Sequence, residues 1–278
     1  MKDIKWFPGH MKNALEDIEE SKIKLADAVL YVLDSRAPIS CMNPKVNKIV
    51  HNKPIIYVFN KIDLADEKRI REIQRQFEEE GKTTIFISAT DKNFAGRLKT
   101  AIKQVLGEKI NRNQAKNIKA TYKLLVLGVP NTGKSSLINM MSSSKKAVTG
   151  NIAGVTKHNQ WVKIDDELML LDTPGVLWPK FDEVISRNLA YIGCLSDKEF
   201  DLSDLGFELM KHIYELYPEK IEERFGVSEK FEEFIELYDK LCLKRGYLIR
   251  GGEIDYTRAG KSFIDEFRNG KLGGLTLD

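Results

Sequence analysis

Cysteine is scarce in this chain of 278 residues: Cys41, Cys194 and Cys242 are its only three, far apart in sequence and without a C-x-x-C pair. Neither a disulfide framework nor a zinc site is indicated, and a reducing, cytoplasmic setting fits. Long hydrophobic runs are missing as well, since no window approaches the length of a bilayer span. Residues 1–10 lack both a secretory apolar core and an Arg/Ser-rich transit pattern, so membrane attachment and export are not expected. There is no internal repeat and no low-complexity segment. With 42% apolar and 31% charged residues the composition is that of a folded soluble protein rather than a disordered one, long enough for one large or two ordinary domains. Charge of one sign is lacking too: the net +3 is too small to argue for a partner by itself. Its distribution is uneven, however, with 30 basic and 20 acidic side chains in residues 1–180 against 14 and 21 in residues 181–278.

What is present is an alternation of strand and helix patterns. Trp6-Phe7-Pro8-Gly9-His10-Met11 places two aromatics, a turn pair and an imidazole ahead of a helix whose Met11, Leu15, Ile18 and Leu25 recur at helical spacing. Continuous apolar runs at 28–33 and 55–59 end in Asp34 and Asn60 and read as buried parallel strands. Residues 67–80 carry Ile70, Ile73 and Phe77 on one helical face, 84–87 form a short strand ending in Ser88-Ala89, and 98–106 are helical again. Residues 107–121 are polar and basic without a clear period and read as a connector. Strands at 160–164 and 168–171 look like a hairpin turned at Asp165-Asp166. The expected fold is α/β, a doubly wound and mostly parallel sheet over residues 1–178 with ligands outside the carboxyl ends of its strands. Past Trp178-Pro179 only helical patterns continue, at 181–193, 203–216, 229–243 and 258–268, punctuated by Pro218, Gly226 and Gly251-Gly252. They predict a smaller all-helical domain over residues 179–278.

The chemistry centres on Gly128-Val-Pro-Asn-Thr-Gly133-Lys134-Ser135, which follows an apolar strand and opens a helix in the pattern G-x-x-x-x-G-K-[ST] of a phosphate-binding loop. The glycines let the backbone wrap an anion. The N–H groups of Asn131, Thr132, Gly133, Lys134, Ser135 and Ser136 would line it, with Lys134 charging the outer phosphates and Ser135 placed for magnesium. Asn60-Lys61-Ile62-Asp63 has the form N-K-x-D, in which the Asp63 carboxylate can accept both N–H groups of the Watson–Crick edge of guanine, a pair adenine cannot offer. Asp172-Thr-Pro-Gly175 supplies an acid for the magnesium shell and, in Gly175, an N–H for a γ-phosphate. Thr156 is the candidate second hydroxyl ligand, or an ordinary loop threonine. Sparse oxygen ligation completed by phosphates suits magnesium.

These motifs resemble those of a translation-factor-type GTPase but come in a different order, the guanine-reading segments before the phosphate loop. That order is the order of a circularly permuted GTPase, in which Asp172–Gly175 leads directly into the helical segment. With Trp6 to Met11, Asp34-Ser35-Arg36-Ala37-Pro38 and Leu171-Asp172-Thr-Pro-Gly-Val-Leu-Trp178-Pro179, the whole chain resembles the ribosome biogenesis GTPase A (YlqF-related) family. The resemblance implies a cytosolic bacterial GTPase that binds GTP and GDP, helps complete the large ribosomal subunit and is stimulated by it. It also implies that Ser88-Ala89 supports the guanine oxygen through backbone N–H groups. Val176 stands where many small GTPases carry a water-orienting glutamine. In the resembling family the histidine of Pro-Gly-His-Met is the candidate for that role, here His10, which could instead cap or pack the first helix; His158 is a rival by its nearness to Thr156. Asn131 matches the asparagine that holds a potassium ion in potassium-activated relatives, though a turn would use it too.

An RNA footprint is expected from Lys244, Arg245, Arg250, Arg258, Lys261, Arg268 and Lys271 together with Lys116 and Lys119. A monomer without membrane contact is expected. The first reading is a GTP-hydrolysing assembly factor; the alternatives are a GTP-gated RNA-binding switch with negligible turnover, and an ATPase.

Overall fold

Six strands form one sheet: β1 (Ala28–Asp34), β2 (Ile55–Asn60), β3 (Thr83–Phe86), β4 (Tyr122–Leu127), β5 (Gln160–Lys163) and β6 (Leu168–Asp172). The computed structural model describes residues 9–50, 53–88, 91, 93–142, 160–178, 182–229 and 231–278, without the side chains of His10, Asn47 and Gln160. Strand order is β3-β2-β1-β4-β6-β5, all neighbours parallel except the β5–β6 hairpin at one edge. β1 is buried along its whole length because both faces are covered: Ala28, Leu30 and Val32 join one apolar cluster while Val29, Tyr31 and Leu33 join the other. β2 and β4 divide in the same way, Ile56, Val58, Leu124 and Val126 on one face and Tyr57, Phe59, Leu125 and Leu127 on the other. The chain winds outward from β1 in one direction and from β4 in the other, so the crevice of the sheet lies where these two strands pair.

The first face, that of Val29, Tyr31 and Leu33, is covered by α1 (Gly9–Asp17), which runs on through a π-helical turn (Ile18–Lys22) into α2 (Ile23–Leu25), and by α4 (Glu67–Glu79). The π-turn corrects the expected face of that first helix. One extra residue per turn advances the buried stripe by a position, so Ile23 and Ala26 are buried and Leu25 is 52% exposed. A short helix, α3 (Val46–Ile49), precedes β2. Asp66 caps α4 by accepting from the N–H groups of Lys68 and Arg69 at 2.8 and 3.0 Å. The second face is covered by α5 (Phe94–Val105) and α7 (Lys134–Met141) through Phe94, Leu98, Ile102, Leu137 and Ile138. Residues 107–121 are not a plain connector: α6 (Gly107–Ala115) occupies most of the stretch and holds the second cluster with a single apolar contact, Ile110, too little to make a period.

The chain then continues as α8 (Glu183–Tyr191), α9 (Leu202–Leu216), α10 (Pro218–Phe225), α11 (Phe234–Lys244) and α12 (Tyr256–Arg268). Pro218 opens α10 at its first turn and Gly226 closes it, so the proline expected as a break starts a helix instead. The apolar cluster of these helices is continuous with that of the first sheet face. α9 and α12 cross at Gly206 and Gly260 so closely that a Cβ on Gly206 would stand 2.7 Å from the Gly260 carbonyl oxygen, and one on Gly260 would stand 3.0 Å from Ser203 Cα. Because the obstacle is backbone, Gly260→Val should cost about 3 kcal/mol, the upper end of ordinary overpacking. Urea unfolding measures it, and an unchanged midpoint would refute the crossing.

Candidate functional site

The carboxyl ends of β1, β2, β3, β4 and β6 bring most of the expected residues to one edge. Asn60, the last residue of β2 and 7% exposed, donates through Nδ2 to the Thr132 carbonyl at 2.7 Å and accepts through Oδ1 from its neighbour Lys61 N–H at 2.8 Å. Lys61 takes a left-handed conformation, φ 59°, and its Nζ donates to the Asn131 carbonyl at 2.8 Å. The N-K-x-D segment is therefore braced on the phosphate loop, and Asp63, exposed in the following 3-10 turn (Ile62–Leu64), is left for a ligand. Ser88 lies buried just past β3, whose extension holds this turn through the bond from Ile62 N–H to the Ile87 carbonyl at 3.2 Å. Ala89 lies outside the described residues.

The phosphate loop leaves β4 and enters α7 through Gly133 in the left-handed region, φ 92°. Thr132 is fully buried and its hydroxyl donates to the Val129 carbonyl at 3.0 Å. Ser136 is exposed at the start of α7. Asn131 sits at φ 61° with its Nδ2 on the Gly193 carbonyl at 2.6 Å, a partner after α8 that its place in the loop gave no reason to expect. Lys134 is buried, with Nζ on the Val129 carbonyl at 2.8 Å. Burial pushes its ammonium down to about 8, against the pull of Asp172.

Phosphate oxygens seated beside Lys134 would favour its charged form and raise its pKa, so that above pH 8 the complex would take up a proton on forming. Affinity for GDP should accordingly be flat below pH 8 and fall by up to about tenfold per pH unit above it. Titration calorimetry at pH 7 and 9 checks this; a constant Kd would contradict it.

On β6, the Ser135 hydroxyl donates to Asp172 Oδ2 at 2.8 Å. Asp172 is 2% exposed, and its Oδ1 has no hydrogen-bond partner among the described residues. Burial raises its carboxyl, with Ser135 and Lys134 opposing. A buried carboxylate oxygen left unpaired beside a serine hydroxyl is a donor set that fits a hard divalent cation. Gly175 packs on the phosphate loop, where a Cβ would stand 2.5 Å from Pro130 Cα, and Val176 N–H donates to the Gly128 carbonyl at 3.2 Å. Thr156 and His158 lie outside the described residues. His10 falls within α1, but its side chain also lies outside them.

Two residues quoted in the sequence without any chemistry belong to the support of this edge. Asp34, at the end of β1, is fully buried between Arg36, whose Nε and Nη2 reach its two oxygens at 2.9 and 2.7 Å, and Lys61 Nζ at 2.8 Å. Burial alone would raise its carboxyl, but the two cations hold it well below the usual range. The only signal was an acid closing an apolar run with an arginine two places on.

A phosphate loop, an N-K-x-D turn and a D-x-x-G turn converging on one sheet edge are the parts of a GTPase, and similarity to known proteins agrees. Residues 123–241 match the family described as 50S ribosome-binding GTPase, and residues 46–181 match the RsgA GTPase family. A ribosome biogenesis GTPase A of Bacillus pumilus is 39% identical over 277 residues, 99% of this chain and 98% of that one. The chain belongs to the ribosome biogenesis GTPase A family. A Thermotoga maritima relative of that name is 29% identical over 276 residues, 99% of this chain and 94% of its own length. A GNP-bound YlqF structure from T. maritima superposes with a TM-score of 0.66 at 26% identity, over 96% of this chain and 97% of that one. A GDP-bound YlqF gives 0.68 at 25% identity, over 93% and 97%. Like other members of the ribosome biogenesis GTPase A family this chain is a GTPase, built on a circularly permuted order of motifs. Among its described residues no helix is long and apolar enough to cross a membrane.

The expected RNA footprint fares unevenly. Arg268 is committed to Asp197 at 2.8 Å, Arg245 to Glu266 at 3.1 Å, and Lys244 to the Gly226 carbonyl at 3.0 Å. Arg250, Arg258, Lys261 and Lys271 are exposed, as are Lys116 and Lys119.

Proposed function

We propose that this GTPase is an assembly factor acting late in maturation of the bacterial large ribosomal subunit, and that the subunit stimulates its hydrolysis. The observation that carries the reading is Val176. It follows Gly175, is 2% exposed and apolar, and its N–H is spent on Gly128, so the residue cannot orient an attacking water. The water must be held by a group from elsewhere, and a factor that turns over only when docked gains a checkpoint from that arrangement. The names of the relatives and the 50S ribosome-binding family supply the partner.

In this reading Asp63, Ser88 and Ala89 read guanine, with Asn60 and Lys61 as braces. Asn131, Thr132, Gly133, Lys134, Ser135 and Ser136 cradle the phosphates, Lys134 neutralises charge developing in the transition state, and the Gly175 N–H meets the γ-phosphate. Ser135, Asp172 and Thr156 would hold magnesium, which supplies positive charge to the phosphate oxygens. Oδ1 of Asn131 is the atom that would bind potassium. His10 orients the water. Residues 179–278 form a helical domain whose exposed Arg250, Arg258, Lys261 and Lys271 meet rRNA, aided by Lys116 and Lys119. The protein works as a cytoplasmic monomer.

The test is GTP turnover with and without large subunits, in potassium and in sodium. Subunits should raise wild-type turnover, and His10→Ala should lose about a hundredfold of the stimulated rate. If the substitution leaves that rate unchanged, His10 is not the water-holding group. Negligible turnover even on subunits would select a GTP-gated RNA-binding switch instead. Equal rates in the two salts would remove Asn131 from the cation site.

A further inference from the structure

Outside the nucleotide contacts, buried and half-buried polar groups form a circuit of hydrogen bonds that begins and ends on Asn131 and is closed through the Ile192–Gly193 peptide. Its carbonyl accepts from Lys61 Nζ, which also reaches Asp34 Oδ2, both at 2.8 Å. Asp34 holds Arg36, and Arg36 Nη2 continues to the carbonyl of Ile192 at 3.3 Å. The next carbonyl, that of Gly193, accepts from Asn131 Nδ2. The circuit is tied to α12 as well: Arg36 Nη1 donates to the Arg268 carbonyl at 3.3 Å, and its guanidinium lies 5.4 Å from the centre of the Phe267 ring. Arg268 in turn donates to the Ala190 and Tyr191 carbonyls at 2.7 and 3.0 Å. The last carbonyls of α8, which no helix can satisfy internally, are thus divided among Arg36, Arg268 and the phosphate loop.

We infer that Arg36 is a positioning residue for the GTPase reaction, setting Lys61 and Asn131 against the ends of α8 and α12 so that the phosphate loop and these helices move as one unit. Arg36 is 1% exposed and Asp34 fully buried, so opening a contact of either would strand a buried donor or acceptor, and this centre of the circuit holds or breaks together. A phosphate drawn into the loop acts on Asn131, the one residue through which the circuit passes twice. Coupling of this kind is reciprocal: what displaces the end of α8 must change nucleotide affinity by the same factor. This route differs from the chain connection at Asp172–Gly175 and reaches α12 as well as α8. It rests on the proposed seating of the phosphates in the 128–135 loop.

Hydrogen–deuterium exchange of the full chain with GDP and with a non-hydrolysable GTP analogue tests it. In the wild type, amides of residues 189–194 and 267–271 should exchange at rates that differ at least threefold between the two nucleotides. Arg36→Lys keeps a cation beside Asp34 but loses the fork, and should bring the two rates together while both nucleotides still bind. Asp34→Asn removes the charge that holds both Arg36 and Lys61, opens the circuit at its centre and should do the same. A merely structural role would raise exchange equally in both states. A wild-type difference that survives in either variant, or no difference in the wild type, overturns the inference. Lys134→Ala separates the premise: if guanine nucleotide still binds that variant as tightly, the phosphate seating itself is wrong and the circuit loses its ligand.

Discussion

Asp63→Asn should reverse nucleotide preference from GTP to xanthosine triphosphate, with a loss for GTP on the order of thousands-fold. A carboxylate offers two acceptors to the two N–H groups of guanine. An amide offers one acceptor and one donor, which leaves the guanine amino group facing an N–H and matches xanthine, whose corresponding position is a carbonyl. The structure makes the substitution clean. Asp63 is exposed at the lip of the 3-10 turn, with no side-chain hydrogen bond or ion pair among the described residues, so the fold should lose no more than about 0.5 kcal/mol. Its backbone position is set elsewhere, by Asn60 and Lys61 gripping the phosphate loop. Competition of GTP, xanthosine triphosphate and ATP against a fluorescent guanine nucleotide reads the result. Retained preference for GTP would mean that Asp63 does not read the base, and a wild type that prefers ATP would remove the guanine reading altogether.

Much of this site was legible because local signals carry it. An apolar run buried on both faces can only be an interior strand, and the polar residue that ends it must stand at the carboxyl edge; Asp34, Asn60 and Asp172 all do. What escaped depended on partners remote in sequence. The one-residue shift that buries Ala26 in place of Leu25 comes from a π-turn with no signature in IEESK. α6 is polar around a single packed isoleucine, so no period betrays it. Arg268, placed in an RNA footprint on charge alone, is consumed by Asp197 and by carbonyls of α8, because a guanidinium beside a helix terminus finds acceptors there. The last residues were equally silent. Thr276 and Leu277 reach the carbonyls of Ser35 and Arg36 at 3.2 and 2.7 Å, and the Asp278 carboxylate takes the Ile39 and Ser40 N–H groups at 2.6 and 3.0 Å. Composition cannot say which loop a terminal segment will strap.

Asp34→Ala should be the most damaging single change in the core, costing about 3–5 kcal/mol, the usual loss when one member of a buried ion pair is removed. Two cations depend on this carboxylate, and the larger is itself 1% exposed, with no other carboxylate paired with it among the described residues. Set against a total stability of about 5–15 kcal/mol for an ordinary domain, such a loss takes a large share. The damage comes from the stranded charge rather than the missing contact, so Asp34→Ala combined with Arg36→Met should be more stable than Asp34→Ala alone, even though it removes more hydrogen bonds. Acid gives an independent reading. The folded carboxyl is held below its unfolded value, so the unfolded chain binds the proton first as pH falls. Its contribution is complete above the ordinary carboxylate range, near pH 4, and is lost progressively below it. Urea midpoints of the wild type and Asp34→Asn should therefore converge as pH drops from 6 toward 3. If they stay parallel, or if the double variant is no better than the single, the buried pair is not what holds the phosphate-loop edge to the helices.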